Sequence, residues 1–209
     1  MFVWSFLFVA FIAVPSLWAD NKLPNPAKTG GSGIFTLLEQ RASGTRGSFP
    51  AGKISEEELS SILWAAMGRN RGGKGWTTPL AGGRNPYVKI YVFRPDGAYL
   101  YDGSSHTLKT VTEQNVMKEI NNDGFVQASP AVLVFVSDPS DLGSMARLNG
   151  NNELAYTATG AMAQNVYLAA DSLGISTRYI VSLNAGKIGS ALGLKGGEVP
   201  LCILPLGKR

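Results

Sequence analysis

A continuous apolar run in the second half of the chain, residues 130–138 with the sequence PAVLVFVSD, constrains the fold more than any other stretch. The run has the length of a single strand and shows no alternation of polar and apolar residues. A strand of this kind is buried on both faces, which requires layers of other elements above and below its sheet. The sequence therefore predicts a central sheet covered by helices on both sides.

The clearest helix begins after Ser55, which forms a capping box with Glu58 three residues later. Apolar residues then recur at helical spacing, namely Leu59, Ile62, Leu63, Ala66 and Met67. Further helices are predicted at residues 34–41, at residues 110–122, over a segment from residue 161 that ends at Gly174, and over residues 185–192 before Gly193.

Strands are predicted between and after these helices. Residues 87–101 alternate and turn at Pro95, Asp96 and Gly97, which indicates a β-hairpin. Residues 176–183 and 199–207 are further strands, whereas residues 68–86 are rich in Gly and Pro and are expected to be a loop that lines a site. This order predicts an α+β fold, a layer sandwich with a mixed central sheet flanked by helices.

The N-terminal residues 1–19 hold no charged side chain and form a short apolar run with small residues at its end. They predict a secretory signal peptide that is removed before Asp20, so that the protein is exported to the periplasm without a membrane span. An uncleaved N-terminal anchor is the alternative. Residues 20–33 are predicted to be an extended arm with nothing to bury, and residues 34–209 to be the folded domain.

Composition excludes several classes of site. Cys202 is the only cysteine, so no internal disulfide forms, and its apolar surroundings indicate an inert core thiol. His106 is the only histidine, which argues against a metal centre and indicates a surface or hydrogen-bonding role rather than a general base. Phosphate-loop and dinucleotide glycine motifs are absent from the sequence.

Charge is concentrated in one part of the chain, where nine basic and three acidic residues lie between positions 41 and 94, although the net charge is only +4. Such a local surplus favours a discrete anionic ligand over nucleic acid. A solvated basic surface is the alternative reading.

The loop at residues 41–49, RASGTRGSF, carries two arginines and three hydroxyl groups. Arginine presents forked N–H donors that suit phosphate, and hydroxyls supplement them. The loop and the chain end together predict an anion site with these candidate ligands: Arg41, Ser43, Thr45, Arg46, Lys208 and Arg209. Pairing of the arginines with nearby glutamates is the alternative.

Four motifs, in this order, resemble those of the nitroreductase family, close to its SagB-type dehydrogenase branch, from residue 34 to residue 208. They are the loop followed by ISEEELSSILWAAMG, then GGKGWTTPLAGGRNPYVKIYVF, GAYLYDGSSHTLKTV and GAMAQNVYLAADSLGIST. The resemblance implies an FMN-binding homodimer in which each flavin contacts both subunits and hydride passes through flavin N5. It implies no catalytic side chain, because the flavin carries the chemistry.

The resemblance also assigns roles to individual positions. Arg41, Ser43 and Arg46 would hold the FMN phosphate and ribityl chain, with Lys208 or Arg209 closing on the phosphate. The backbone that would border the flavin ring system comprises Thr77, Thr78, Pro79, Leu80, Ala81 and Gly82. Val181 and Ser182 lie where the family offers a backbone N–H towards flavin N5. Gln164 and Asn165 are interpreted as structural contacts of their helix.

The implied reaction is the two-electron reduction of a conjugated electrophile, or the dehydrogenation of an azoline-type substrate, with a separate electron donor or acceptor. Three departures from the family pattern stand out: a loop one residue wider between Ser43 and Arg46, Trp76 in place of Arg, and Leu80 in place of Ser. Trp76 and Leu80 raise the alternative of a flavin-binding protein without turnover. An exported binder of a small phosphorylated ligand, without flavin, is a further alternative.

Overall fold

A computed structural model describes residues 20–81, 86–150 and 152–209. The helices are α1 Ile34–Gln40, α2 Glu56–Met67, α3 Gly124–Gln127, α4 Glu153–Ser172 and α5 Ala185–Leu192. The strands are β1 Asn21–Lys22, β2 Arg69–Asn70, β3 Gly75–Trp76, β4 Val88–Arg94, β5 Gly97–Asp102, β6 Thr107–Thr112, β7 Ala131–Ser137, β8 Ile175–Thr177 and β9 Val199–Lys208. The signal peptide predicted at residues 1–19, and Gly82 of the predicted flavin loop, lie outside the described residues.

The largest unit is a seven-stranded sheet with the strand order β1-β6-β5-β4-β7-β9-β8. Every neighbouring pair in its described strands is antiparallel. The predicted α+β class is confirmed, with the difference that these pairs are antiparallel rather than mixed. Strands β7 and β8 do run in the same direction, as the strand-helix-strand order suggests, but β9 lies between them and pairs with both in the opposite direction.

Both faces of the sheet are covered, as the apolar run predicts. All residues of β7 are buried, and they alternate between two apolar clusters. Leu133 and Phe135 pack in the cluster that contains α2 and α4, whereas Val132 and Val134 pack in the cluster that contains α5. The period of two along a strand therefore divides one buried segment between two helical layers.

The predicted capping box is present at the start of α2. The Ser55 hydroxyl accepts the Glu58 backbone N–H at 3.2 Å, and the Glu58 carboxylate accepts the Ser55 N–H at 2.8 Å. The five apolar positions assigned to this helix are all buried. Helix α5 has the predicted bounds, and it ends at Gly193 with φ of 61°, a left-handed conformation that glycine adopts without strain.

The prediction of a helix at residues 110–122 is wrong. Residues 107–112 form β6, which pairs with β5, and only a short 3₁₀ turn, Met117–Glu119, follows it. Thr110, Val111 and Thr112 are β-branched and fit a pleated strand better than a helix. Pairing with β5 across a tight turn therefore outweighs the helical spacing of the later residues.

Two other segments differ in detail from their predictions. The Gly-rich loop at residues 68–86 contains a small antiparallel pair, β2 and β3, in which Arg69 faces Trp76. The strand predicted at residues 176–183 is regular only as far as Thr177, after which Ile180 makes an isolated bridge to Ile203 of β9.

The arm at residues 20–33 is extended as predicted, but it has something to bury. Its β1 residues pair with β6 at the edge of the sheet. Leu23 is only 5% exposed, and the Ala27 backbone N–H donates to the Ser61 hydroxyl at 2.9 Å. The arm is therefore packed along β6 and α2 rather than hanging free of the domain.

Candidate functional site

The loop at residues 41–49, which we call the anion loop, starts where α1 ends and lies against β8. The Gly44 backbone N–H donates to the Thr177 carbonyl at 2.9 Å, and the Gly44 carbonyl accepts from the Arg178 guanidinium at 2.9 Å. A Cβ atom at Gly44 would lie 2.6 Å from the ring of Phe49, so a larger residue here would displace that ring. Hydrogen bonds therefore hold the anion loop at both the amide and the carbonyl of Gly44.

A cavity of about 420 Å³, which we call the loop cavity, opens beside the anion loop. It is lined by Gln40, Ala42, Ser43, Gly44, Thr45, Ser48, Pro50, Asp171, Ser176 and Arg209. Four of these residues carry hydroxyl groups and one carries a guanidinium group. Hydroxyl groups and backbone amides suit the oxygen-rich surface of a polyol or a phosphate.

Arg41 has a donor with no partner. Its guanidinium lies over the ring of Tyr167, 4.8 Å from the ring centroid, and its Nε atom is buried without a hydrogen bond. Among the described residues, four buried side-chain polar atoms lack a partner, and the Arg41 Nε is the only one on a charged group. A second of them, the Thr177 hydroxyl, belongs to the residue that binds the anion loop. Unpaired buried donors are costly, which makes this the natural place for an external acceptor.

Ser43 lines the loop cavity, and its hydroxyl lies 2.8 Å from the Tyr167 hydroxyl. Arg46 is not brought there, because its exposed side chain faces Asp123 with 3.6 Å between the charged atoms. Surface pairs of this kind contribute little to stability, at most about 1 kcal/mol. The structure therefore unites Arg41 and Ser43 and leaves Arg46 on the surface.

Of the two residues at the chain end, Arg209 lines the loop cavity and Lys208 does not. Arg209 pairs with Asp171 and donates its backbone N–H to the Gly174 carbonyl at 3.0 Å. Lys208 instead pairs with Glu58 and donates to the Leu173 carbonyl at 3.1 Å. Burial raises the pKa of Glu58, but hydrogen bonds from Lys208 and Ser55 outweigh it and lower the pKa overall.

The residues predicted to border the flavin ring system are fixed by α2 and α4. The Thr77 hydroxyl donates to the Trp64 carbonyl at 3.0 Å, and the buried Thr78 hydroxyl donates to the Ala66 carbonyl at 2.6 Å. The Asn165 amide donates to the Thr78 hydroxyl at 3.1 Å, which agrees with a structural role for that residue.

Residues 79–81, the rest of the predicted flavin border that the structure describes, differ from one another in burial. Pro79 is exposed, and Leu80 and Ala81 pack against the core. The Ala81 backbone N–H donates to the Tyr87 hydroxyl at 3.1 Å. The predicted turn thus has a defined course as far as residue 81.

Thr77 and Asn165 face a second cavity, of about 350 Å³, which we call the helix cavity. Its lining is Gly30, Ser32, Leu37, Trp64, Ala65, Asn70, Thr77, Asn165, Leu168, Ala169 and Ser172. Helix α4 therefore borders both cavities, the loop cavity through Asp171 and the helix cavity through four other residues. Within one chain, the predicted ligands Ser43 and Arg209 line the loop cavity, whereas Thr77 lines the separate helix cavity.

Val181 and Ser182 line neither cavity. Val181 is 65% exposed, and the Ser182 carbonyl accepts from the Asn121 amide at 3.3 Å. The preceding residue, Ile180, exchanges two backbone hydrogen bonds with Ile203, at 3.0 and 2.9 Å. The segment is thus anchored on β9 and presents its apolar side chain outward.

Trp76 and His106 have structural partners. Trp76 is buried and stacks under the guanidinium of Arg69, 4.3 Å from the ring centroid. The two ring nitrogens of His106 lie 2.9 Å from the Tyr101 hydroxyl and 2.8 Å from the fully buried Ser60 hydroxyl. The prediction of a hydrogen-bonding histidine is confirmed, and the buried serine is not placed to act as a nucleophile.

No group of three or more possible metal ligands occurs among the described residues. Within the same residues, no helix is both long and apolar enough to cross a membrane. Burial raises the pKa of the Cys202 thiol to about 12, against the effect of a hydrogen bond to Tyr179, so the predicted inert core thiol agrees with the structure.

Comparison with known proteins decides the family. The profile of the Nitroreductase family matches residues 38–208. The chain belongs to the nitroreductase family. It is 32% identical over 170 residues to a Methanocaldococcus jannaschii protein named as a nitroreductase, an alignment that covers 75% of this chain and 82% of that protein.

Solved structures agree on the fold of this nitroreductase-family protein. One named as a nitroreductase, from Ralstonia eutropha, superposes with a TM-score of 0.82 at 29% identity and covers 91% of this chain and 89% of its own. A chain of the E. coli microcin synthetase McbBCD complex with truncated pro-MccB17 bound superposes at 0.66 with 19% identity, covering 97% and 84%. At that identity the second match shows the fold alone.

Family membership makes the protein a flavin-dependent oxidoreductase. The lining of the loop cavity suits the polar tail of a flavin, because it combines four hydroxyl groups with Arg209. Arg41 is not part of the lining, but it lies between the lining residues Gln40 and Ala42 in the chain and has a buried Nε without a partner. Sequence reasoning missed Tyr167, Asp171 and Arg178, which position this site. Tyr167 and Asp171 fall inside the fourth family motif, but nothing in their spacing shows that they contact the anion loop.

Proposed function

We propose that this nitroreductase-family protein is an FMN-dependent, homodimeric oxidoreductase that transfers two electrons to or from a conjugated electrophile or an azoline-type substrate. The observation that carries the proposal is the cavity lined with hydroxyl groups and Arg209, together with Arg41, whose Nε is buried and unpaired and which is linked to the lining residue Ser43 through Tyr167. FAD and riboflavin are other flavins. Of the three flavins, we propose FMN, because its terminal phosphate is a compact dianion that suits the small set of donors at this site.

The roles of the residues follow from their positions. Arg41 would bind the phosphate through its free N–H, and Ser43 would donate its hydroxyl to the same group. Arg209 would give up part of its pairing with Asp171 to approach the charge from the chain end. When bound, FMN supplies hydride transfer at its N5 atom, whereas the protein supplies binding, orientation and exclusion of water.

A homodimer is supported by the surface of α1. Ile34, Phe35 and Leu38 are each at least half exposed, and Phe35 is 84% exposed. Three large apolar side chains on one short helix favour burial against a second copy. A dimer would also account for the two separate cavities, since each flavin could then contact the loop cavity of one subunit and the Thr77–Ala81 segment of the other.

The substrate class rests on the family and on one structural neighbour. The microcin synthetase complex was solved with a peptide precursor bound, and its matching chain shares the fold of this protein. An azoline-type substrate is therefore proposed beside nitro, quinone and other conjugated acceptors. Trp76 packs within the β2-β3 pair, which explains the loss of the family arginine there without requiring a loss of turnover.

Export to the periplasm is proposed from residues 1–19, whose sequence has the form of a signal peptide. An exported flavoenzyme needs a donor other than the reduced nicotinamides of the cytoplasm, or works as a dehydrogenase with another acceptor. Cell fractionation with N-terminal sequencing tests the proposal. Cleavage before Asp20 with recovery in the periplasmic fraction is expected, and an intact N-terminus in the cytoplasm would exclude export.

The visible spectrum of the purified protein, with FMN released by heat and quantified, tests the main proposal. Bands of an oxidised flavin and near-stoichiometric FMN are expected, and reduction by dithionite followed by reoxidation with a quinone tests turnover. Flavin that is bound but accepts electrons from no donor would favour a binding protein without turnover. A colourless protein that takes up no added FMN would favour a binder of a small phosphorylated ligand.

A further inference from the structure

Tyr167 lies at the junction of the three segments that form the candidate phosphate site. It is a buried residue of α4, and its hydroxyl lies 2.8 Å from the Ser43 hydroxyl of the anion loop. The same hydroxyl accepts the backbone N–H of Tyr179 at 2.8 Å. One phenol group therefore joins the anion loop to the chain that leads from β8 towards Val181.

The direction of these hydrogen bonds has a chemical consequence. The Tyr179 N–H can only donate, so the Tyr167 oxygen must accept from it, and the phenol keeps its own O–H to donate. If the phenol donates to Ser43, the Ser43 hydroxyl keeps its proton free for a third group. Ser43 lines the loop cavity, where such a proton would meet an oxygen of a bound anion.

The ring of Tyr167 contacts Arg41, the second candidate ligand of the phosphate. The Arg41 guanidinium lies 4.8 Å above the ring centroid, a distance at which the π-system attracts a cation. Stacking of this kind holds the guanidinium plane without using any of its N–H donors. The Arg41 guanidinium, whose buried Nε has no partner, is thus kept in place by a contact that uses none of its donors.

Tyr179 is itself anchored to the sheet. It packs against the core cluster that contains Cys202, and the next residue, Ile180, pairs with Ile203 of β9. The Tyr167 hydroxyl therefore connects the anion loop to a fixed reference point in the core. The same connection runs towards Val181 and Ser182, where the family resemblance places the amide that faces the flavin.

We propose that Tyr167 is a positioning residue for the flavin phosphate, which orients the Ser43 hydroxyl by a donated hydrogen bond and the Arg41 guanidinium by ring stacking. This inference rests on the proposed function, because it takes FMN as the ligand of the loop cavity. It adds a residue outside the predicted ligand set that acts through two members of that set.

Tyr167→Phe keeps the stacking ring and removes both hydrogen bonds. We expect FMN affinity, measured by quenching of flavin fluorescence, to fall by about tenfold, the value of one or two hydrogen bonds. Riboflavin, which lacks the phosphate, should lose less than about twofold, and this difference separates positioning of the phosphate ligands from general damage to the fold. Hydrogen exchange at the Tyr179 amide should become faster in the apo protein.

Tyr156→Phe is the matched control, because it removes the hydroxyl of another tyrosine of α4 that is partly exposed. In the Ser43→Ala background, Tyr167→Phe should cost much less than in the wild type, since coupled residues are not additive. Equal losses for FMN and riboflavin, or unchanged FMN affinity, would overturn the inference. A wild-type protein that binds no FMN would overturn the proposed function and the ligand role of Tyr167 together, whereas amide exchange at Tyr179 still decides whether the connection exists.

Discussion

Two clusters in this molecule use the same kinds of group, a tyrosine hydroxyl, a serine hydroxyl and a basic side chain. The arm cluster consists of Ser60, Tyr101 and His106, and the loop cluster consists of Arg41, Ser43 and Tyr167. In the arm cluster both nitrogens of the histidine have partners, and the Ser60 hydroxyl also donates to the Pro24 carbonyl at 2.6 Å. In the loop cluster the buried Nε of Arg41 has no partner, and Ser43 lines a cavity.

The difference separates a structural network from a binding site. A buried polar network whose groups are satisfied by one another stabilises the fold, and here it fastens the N-terminal arm to α2 and β6. A network that leaves a charged donor unpaired pays a free-energy penalty in the absence of ligand. Substitutions in the arm cluster should therefore affect stability, and substitutions in the loop cluster should affect binding.

Arg41→Gln should produce the largest change in binding. A hydrogen bond from a charged donor contributes roughly 1.5–3 kcal/mol, so FMN affinity should fall by about 10- to 100-fold. The free energy of unfolding of the apo protein should change by less than about 1 kcal/mol, the value of a cation–π contact. Flavin titration and urea denaturation measure the two effects.

The control for Arg41→Gln is Arg71→Gln, which removes an equal charge from an exposed position in the β2-β3 turn. That variant should bind FMN as the wild type does. If both variants lose affinity equally, the effect comes from the overall charge of the basic region and not from a ligand at Arg41.

Ser60→Ala should show the opposite pattern. The variant loses a fully buried hydroxyl that serves both the Pro24 carbonyl and His106, at an expected cost of about 1–2 kcal/mol in the free energy of unfolding. FMN affinity should stay within about twofold, because the arm cluster takes no part in phosphate binding. A large loss of flavin with unchanged stability would reverse the assignment of the two clusters.

The arm cluster should also make stability depend on pH. Burial, together with the charge of Lys28, lowers the pKa of His106 below its ordinary value of 6.5, although the Pro24 carbonyl acts in the other direction. The unfolded chain then binds the proton more readily, so the free energy of unfolding is at its full value above about pH 6.5 and falls as the pH drops towards the folded pKa.

Urea denaturation between about pH 7.5 and 5 measures this dependence, in a window above the titration of most carboxylates. Asp138, for example, titrates lower still, because hydrogen bonds from Lys89 and Ser140 outweigh the effect of burial and lower its pKa below 3.8. His106→Gln should be less stable at pH 7 and should show a flatter profile over the same range. An unchanged slope in that variant would assign the dependence to other groups.

Much of the fold could be predicted from the sequence because the signals were local. The capping box of α2, the left-handed glycine after α5 and the apolar run of β7 each depend on neighbouring residues. The error at residues 110–122 has the opposite cause. Strand β6 pairs with β5 across a tight turn and with the distant β1, and this pairing outweighs the helical spacing of the residues that follow it.

In the candidate site too, the features that depend on residue type and local motifs could be predicted, whereas the contacts between distant residues could not. Arg41, Ser43 and Arg209 were predicted because their residue types and the family motifs point to an anion. In the structure, Ser43 and Arg209 line one cavity, and Arg41 is linked to Ser43 through Tyr167. Tyr167 was not found, since its contacts to Ser43 and Tyr179 span 124 and 12 positions of sequence. The direction of the Arg46 and Lys208 side chains likewise depends on partners, Asp123 and Glu58, that are distant in the chain.

Arg46→Gln should have the smallest effect and sharpens the comparison within the anion loop itself. Arg46 is exposed and pairs only with Asp123 in the described residues, so its loss should lower FMN affinity by less than about threefold. Asp123→Asn frees the arginine from that pair and should leave affinity unchanged at high salt, where exposed charges are screened.

If Arg46→Gln instead weakens binding as much as Arg41→Gln does, the side chain must leave Asp123 and turn into the loop cavity when the ligand arrives. Asp123→Asn should then raise the affinity for FMN, because the arginine no longer has a partner to give up. Flavin titrations of the two variants at low and high salt distinguish these cases. Their outcome decides whether Arg41 and Arg209 are the whole cationic part of the site or whether Arg46 joins them when the phosphate binds.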